Sequence, residues 1–326
     1  MKTVLVTAIG SFAADIVIKR LKAQGIRVAG CDIYPGEWVA DAGNVDAFYQ
    51  VPCASDKERY VEAVLSICKK EQVEALIVLL DVELDVWNDC RELLAEQKVI
   101  LCASGPEAIS LCRDKRKLFL YLEDKMPGCL IPTFSLSECS PEALSYPAVC
   151  KPYNGRSSQG LKCVGSQEQL ELFLSHTDVK DYIVQPKIEG LVVTVDVVRD
   201  KHGRNCAAIC RRELLRTLNG AGTSVEVFRN PGLEDVCRQA ADALGVTGCV
   251  NFEFIEGSDG VYHMLECNPR FAGGVEFSCM AGYDCVINHL RCFTGEDIEP
   301  SDNITGMYIA RKYEEYITKI TDRSRT

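Results

Sequence analysis

The sequence predicts an α/β protein: an N-terminal open parallel α/β domain over residues 1–105, then a strand-richer α+β region over 106–326. Three observations predict it. Apolar strands alternate with helix-period segments through the first hundred residues, which implies a parallel sheet covered on both faces. Beyond them, strands follow one another with fewer helices between. Near the end, Val250–Ile255 and Val261–Asn268 flank the turn signal Gly257-Ser258-Asp259-Gly260 and read as a β-hairpin.

In order, Thr3–Thr7 is strand-like, Ala13–Gln24 is helical in period and stops at Gly25, and Arg27–Asp32 is a second strand. Asp56–Glu71 reads as a helix, Val73–Leu80 as a buried strand, Val86–Glu96 as a helix and Val99–Ala103 as a strand. The turn Ala8-Ile9-Gly10-Ser11 has a single glycine and fails the GxGxxG test for a dinucleotide. Gly10, Ser11 and Asp32 still lie where such folds bind small ligands, although turns that serve structure alone explain them as well.

Asp114-Lys115-Arg116-Lys117 opens a helix running to about Glu123. Basic residues so early oppose the helix dipole, so either a bound anion compensates or the face is solvated. A proline-punctuated linker follows around the short strand Thr133–Leu136. A strand over Pro147–Cys150 then delivers Lys151, ahead of a loop of small residues from Gly155 through Ser157 and Ser158 to Gly160. Backbone N–H groups in such a loop converge on an oxyanion, and the lysine adds a point charge. It is not a Walker A loop, since no Gly-Lys-Ser/Thr opens a helix.

Leu161–Gly165 is a strand and Ser166–Ser175 a helix capped by Ser166. The strand at Tyr182–Pro186 ends in Gln185-Pro186-Lys187-Ile188-Glu189-Gly190, where unpaired backbone groups suit an adenine edge and Glu189 a ribose hydroxyl; an ordinary strand end is the alternative. Leu191–Val198 and Cys206–Cys210 are strands, the second delivering Arg211-Arg212-Glu213 before the loop Leu218–Ser224. These arginines suit a second anion, with surface ion pairing as the competing reading. Leu233–Leu244 is a helix closed by Gly245. In the hairpin, Glu253 shares a face with Asn251, and Glu266 shares one with Tyr262, Met264 and Asn268. Two carboxylates and an amide oxygen suit Mg²⁺ (or Mn²⁺), which takes its other ligands from phosphates, and Arg270 suits the phosphoryl group beside it. The strand register, which decides whether Glu253 reaches Glu266, is open. Cys285–Phe293 is a helix and Met307–Ile317 a last strand or short helix.

Composition limits the function. A net charge of −11 argues against general nucleic-acid binding. No apolar run spans a bilayer, and Met1-Lys2 leads straight into a strand with no signal-peptide pattern. The 18 cysteines include no CxxC pair, and many sit in apolar runs, so free thiols in a reducing cytoplasm are expected. The four histidines have no ligand spacing.

Taken in order, Asp114-Lys115, Pro147–Pro152, Gly155–Gly160, Gln185–Gly190, Thr194-Val195-Asp196, Phe252-Glu253-Phe254 and Leu265–Arg270 resemble the ATP-grasp superfamily. The likeness is strongest to stand-alone relatives of the carbamoyl-phosphate synthase large subunit. It implies a pre-ATP-grasp domain followed by a two-lobed clamp, small lobe about 115–184 and large lobe about 185–326. It further implies that Lys115, Lys151 and the glycine loop contact ATP phosphates. Gln185, Pro186, Lys187 and Ile188 would line the adenine pocket, with Glu189 near the ribose. Glu253, Glu266 and Asn268 would hold Mg²⁺, and Arg270 with Arg211 or Arg212 would stabilise the transferring phosphoryl. Relatives often carry an acid shortly after the glycine matching Gly190. Here Leu191-Val192-Val193 follows, so ribose contact rests on Glu189 alone. The implied activity is an ADP-forming ligase joining a small carboxylate to an amine, and homodimers are common among such relatives. A kinase, a bicarbonate-phosphorylating enzyme and a non-catalytic nucleotide binder are the alternatives.

Overall fold

The computed structural model describes residues 1–155, 159–218 and 220–321. Among these residues the chain builds three sheets. The first sheet comes from β1 (Thr3–Val6), β2 (Arg27–Asp32), β3 (Ala47–Gln50), β4 (Ala75–Ile77) and β5 (Ile100–Leu101), with α1 (Ala14–Ala23), α2 (Lys57–Glu71), α3 (Asp81–Asp89) and α4 (Arg91–Glu96) between them. All pairs are parallel, in the order β3-β2-β1-β4-β5. The order reverses between β1 and β4, and the segments leaving their C-terminal ends therefore diverge to opposite faces and open a crevice. Helix α2 ends through Gln72 in a left-handed conformation. The expected single helix over Val86–Glu96 is two helices, α3 and α4, which meet at Cys90.

Next come α5 (Pro106–Cys112), α6 (Lys115–Leu122) and a second sheet of β6 (Phe134–Ser135), β7 (Ala148–Pro152), β8 (Lys162–Val164) and β9 (Tyr182–Pro186), with α7 (Gln167–Leu174) packed on it. The order is β6-β9-β7-β8. The anion expected at the start of α6 is supplied by the chain. Asp114 caps the helix, its carboxylate accepting from the N–H groups of Arg116 and Lys117, each at 3.0 Å.

The third sheet takes β10 (Gly190–Arg199), β11 (Cys206–Arg216), β12 (Gly222–Phe228), β13 (Gly248–Gly257), β14 (Tyr262–Asn268) and β15 (Met307–Ala310). It is antiparallel, in the order β14-β13-β10-β11-β12-β15. Helix α8 (Pro231–Leu244) covers one face. Proline stands at its first position, Asn230 caps Leu233 N–H at 3.0 Å, and Gly245 closes it with a positive φ of 64°. Its stripe of Leu233, Cys237, Ala240, Ala241 and Leu244 packs against Val193, Val195, Phe252 and Phe254. Helices α9 (Val275–Met280) and α10 (Cys285–Thr294) cover part of the other face. Through them, one apolar core runs from Val4 and Val6 of the first sheet and Ile16 of α1 to Ile209, Val227 and Phe277. The 18 cysteines are free thiols. Among the described residues no helix is long and apolar enough to cross a membrane.

Candidate active site

Three sheets contribute to one cleft of about 580 Å³, a volume typical of small-ligand sites. Ser11 and Phe12 reach it from the crevice beyond β1, and Leu79 and Leu80 from beyond β4. The turn itself is held from within, since Gly10 N–H donates to the Asp32 carboxylate at 2.8 Å.

The open register is settled by pairing: Glu253 lies opposite Glu266, and Asn251 opposite Asn268. A bulge at Leu265 interrupts the alternation, because Phe254 pairs with Met264 while Glu253 pairs with Glu266. Met264 and Glu266 therefore do not share a face. Met264 turns into the core with Phe254, whereas Leu265 and Glu266 both line the cleft. Asn268 Nδ2 donates to Glu253 Oε1 at 3.4 Å and to Glu266 Oε1 at 3.1 Å.

Facing these acids, Lys115 Nζ lies 2.9 Å from Glu266 Oε2 and donates to the Gly155 carbonyl at 2.8 Å. Lys151, at the end of β7, projects into the same cleft. Burial pulls its ammonium down to about 8, with Glu266 opposing the change. Burial and the neighbouring Glu266 push Glu253 up to about 7. Burial also acts to raise Glu266, but Lys115 and Lys151 outweigh it and hold that carboxyl low. Two adjacent acids are thus driven apart in proton affinity.

The strand-end segment divides. Gln185, Pro186, Lys187 and Ile188 line the cleft, with Gln185 fixed through Thr133 Oγ1 at 2.7 Å and Lys187 N–H donating to the Pro147 carbonyl at 2.9 Å. Glu189 does not line it. Its side chain is exposed and pairs with Lys187 Nζ at 2.5 Å. Gly155 lines the cleft and Gly160 does not; Ser157 and Ser158 lie outside the described residues.

Of the arginines, Arg270 lines the cleft and its Nη2 donates to Asp81 Oδ2 at 2.7 Å. Arg211 also lines the cleft and is fully buried, bonded through Nη1 to Asp196 and, at 2.6 Å, to Ser278 Oγ. Arg212 must point the other way, because successive side chains of a strand alternate. It is bound by Glu256 at 2.6 Å and Glu226 at 3.0 Å and lies over the Phe228 ring, so it does not reach the cleft. Residues not expected there include Glu213 and the apolar Phe12, Leu79 and Leu80. Arg216 also reaches in, its Nη2 3.5 Å from Glu253 Oε2. For the leucines the one available signal was position, at the end of an apolar strand.

The donor set fits a magnesium ion. Two carboxylates with an amide oxygen are hard oxygen ligands, and a cation between them would offset the burial and mutual repulsion that raise Glu253. Among the described residues no group of three or more His, Cys, Asp or Glu could hold a metal. A cation here would accordingly draw its remaining ligands from phosphates and water.

Residues 178–314 match the family described as "ATP-grasp in the biosynthetic pathway with Ter operon", and residues 4–102 match the "PylC-like, N-terminal domain". The carbamoyl phosphate synthase large chain of Clostridium beijerinckii is 24% identical over 284 residues, covering 82% of this chain and 25% of that protein. The chain thus spans about a quarter of the length of such relatives. Biotin carboxylase from Campylobacter jejuni, solved as a β,γ-ATP complex, superposes with a TM-score of 0.78 at 17% identity, over 94% of this chain and 73% of that one. The biotin carboxylase domain of Hydrogenobacter thermophilus 2-oxoglutarate carboxylase, in complex with MgADP, ADP and bicarbonate, gives 0.77 at 19% identity, over the same shares. The chain thus shares the fold of these structures across nearly its whole length, and its residues 178–314 match an ATP-grasp family.

Proposed function

We propose that the protein is an ATP-dependent, ADP-forming ligase that activates a small carboxylate as an acyl-phosphate for attack by an amine. The observation that carries this reading is the apposition of Glu253, Glu266 and Asn268 on one lobe to Lys115 and Lys151 on the other. In this reading the pre-ATP-grasp domain is residues 1–105, and the clamp runs from 106 with lobes of about 115–184 and 185–326.

Lys115 and Lys151 hold the β- and γ-phosphates. Gln185, Lys187 and Ile188 border the adenine. Glu253, Glu266 and Asn268 hold Mg²⁺, which when bound neutralises charge on the phosphates. Arg270 steadies the phosphoryl group as it passes to the substrate carboxylate, and Arg211 lies behind it. The amine then displaces inorganic phosphate. Positioning and charge neutralisation supply the rate, and no side-chain nucleophile is needed. The partners are small molecules, and the setting is the cytoplasm.

The test is ADP release screened against pooled carboxylates and amines, with mass spectrometry of the product. A condensed product with ADP and phosphate is expected. Phosphate retained on the acceptor, turnover that depends on bicarbonate alone, or full turnover by Glu266→Ala would each replace this reading.

A further inference from the structure

Behind the acidic pair, toward the crevice of the first sheet, the cleft holds two buried charged groups with unused bonding capacity. Arg211 is fully buried and Glu213 nearly so, and both line the cleft. Nη1 of Arg211 is taken by Asp196 and Ser278, but Nε and Nη2 find no partner among the described residues. Glu213 Oε1 accepts from Thr194 Oγ1 at 2.6 Å, whereas Oε2 accepts from nothing. The two side chains stand side by side, Arg211 Nε 4.0 Å from Glu213 Oε1, too far for a hydrogen bond. A buried donor or acceptor left without a partner costs on the order of 1–3 kcal/mol, and more when charged. One such atom is an accident of packing. A cationic donor edge beside an anionic acceptor, both on the cleft wall, is a pattern.

Two glycine segments pack against both groups. A side chain at Gly274 would begin 3.5 Å from Arg211 Nη2. At Gly222 a Cβ would fall 1.9 Å from Glu213 Oε2, so that position admits no side chain while Glu213 holds this rotamer. The glycines therefore bring backbone close to the charges and place no side chain there to compete for them.

We propose that this is a zwitterion subsite, and that one of the two substrates is an α-amino acid whose carboxylate pairs with Arg211 and whose ammonium pairs with Glu213. The proposal rests on the ligase reading and narrows its substrate class. A plain carboxylate would leave Glu213 Oε2 without a donor, and a plain amine would leave Arg211 Nε and Nη2 without an acceptor. An α-amino acid satisfies both from a single carbon, matching the short distance between them. Uncharged ligands of the same shape are rejected, because they strand both buried groups.

The test is a binding screen on the full chain. The twenty α-amino acids, their N-acetyl derivatives and their carboxamides are titrated by calorimetry and thermal shift, with and without magnesium and a non-hydrolysable ATP analogue. At least one free amino acid should bind, and its N-acetyl and carboxamide forms should bind roughly 10- to 100-fold more weakly. Glu213→Gln should narrow the gap between the free and N-acetylated forms, with its unfolding curve recorded as a check on folding. If that variant does not fold, the ligand series on the unaltered chain decides. Binding by no amino acid, or equal binding of free and blocked forms, overturns the proposal. Loss of analogue binding is read separately and counts against the nucleotide reading.

Discussion

Arg270 Nη2 donates to Asp81 Oδ2 at 2.7 Å, joining the end of the hairpin to the start of α3 across 189 positions of sequence. Asp81 is itself buried and also lies 3.8 Å from Arg113. The contact fixes a cleft arginine from the start of α3, so the helices around the first sheet take part in orienting it. Asp81→Asn retains the shape and removes the charge. It should lower kcat by roughly 10- to 100-fold while changing the KM for ATP far less, the pattern of a lost positioning contact. Steady-state kinetics with the cognate substrates separate the two parameters, and an equal change in both would place Asp81 in nucleotide binding instead.

Glu253 and Glu266 repel each other in the metal-free chain. Glu253→Gln relieves that repulsion without changing volume. Urea unfolding in chelator should show a gain of roughly 1 kcal/mol, the usual sign of an active-site residue held at a cost to stability. ADP release under saturating magnesium should fall by about 100-fold or more. A variant that lost both stability and turnover would show that Glu253 serves the hairpin rather than the ion.

Lys151 supplies a pH dependence whose sign is fixed. Burial holds its ammonium down to about 8, so in the free chain the charge is present below that pH and lost above it. Phosphates bind the charged form, and above pH 8 nucleotide binding must therefore take up a proton. The Kd for an ATP analogue should be flat below pH 8 and rise by up to about tenfold per unit above it. Lys151→Arg remains charged throughout and should abolish the rise. Isothermal titrations in buffers of differing ionisation enthalpy would report the proton directly.

What the sequence conveyed well was whatever rests on local pattern. Arg27–Asp32 is a strand over the residues expected, and Pro231, Asn230 and Gly245 bound α8 as their chemistry dictates. The misses have physical causes. Strand β3 is four half-exposed residues with no apolar alternation, and it forms because β2 offers an edge. Strand β12 hides behind Gly220-Ala221-Gly222, whose loop signal reflects clearance for Glu213 rather than the end of structure. The bulge at Leu265 cannot be seen in an alternating stretch, and it reverses the face expected for Met264. Arg212 could have been set aside from sequence alone, since period-two alternation allows only one of two adjacent arginines into the cleft. That Glu189 turns outward to Lys187 depends on side-chain rotamers, which the sequence leaves open. The acids were legible as a cluster; that they face lysines from another sheet is long-range information.

A last consequence lies away from the cleft. Glu83 is buried in the first domain, where its carboxylate accepts from Thr7 Oγ1 at 2.6 Å, and burial pushes it up to about 7. Its folded-state value thus lies above the unfolded one, near 4.3. Between the two, the folded chain binds the proton more tightly, so stability from this group is complete below about pH 4.3 and is lost as pH rises through 7. Glu83→Gln keeps an acceptor for Thr7 and cannot ionise. Relative to the unaltered chain it should be more stable at pH 8, by on the order of 1–3 kcal/mol, with the advantage vanishing near pH 4. Denaturant titrations at both pH values test this, and a difference that did not change with pH would mean that Glu83 is not the titrating group.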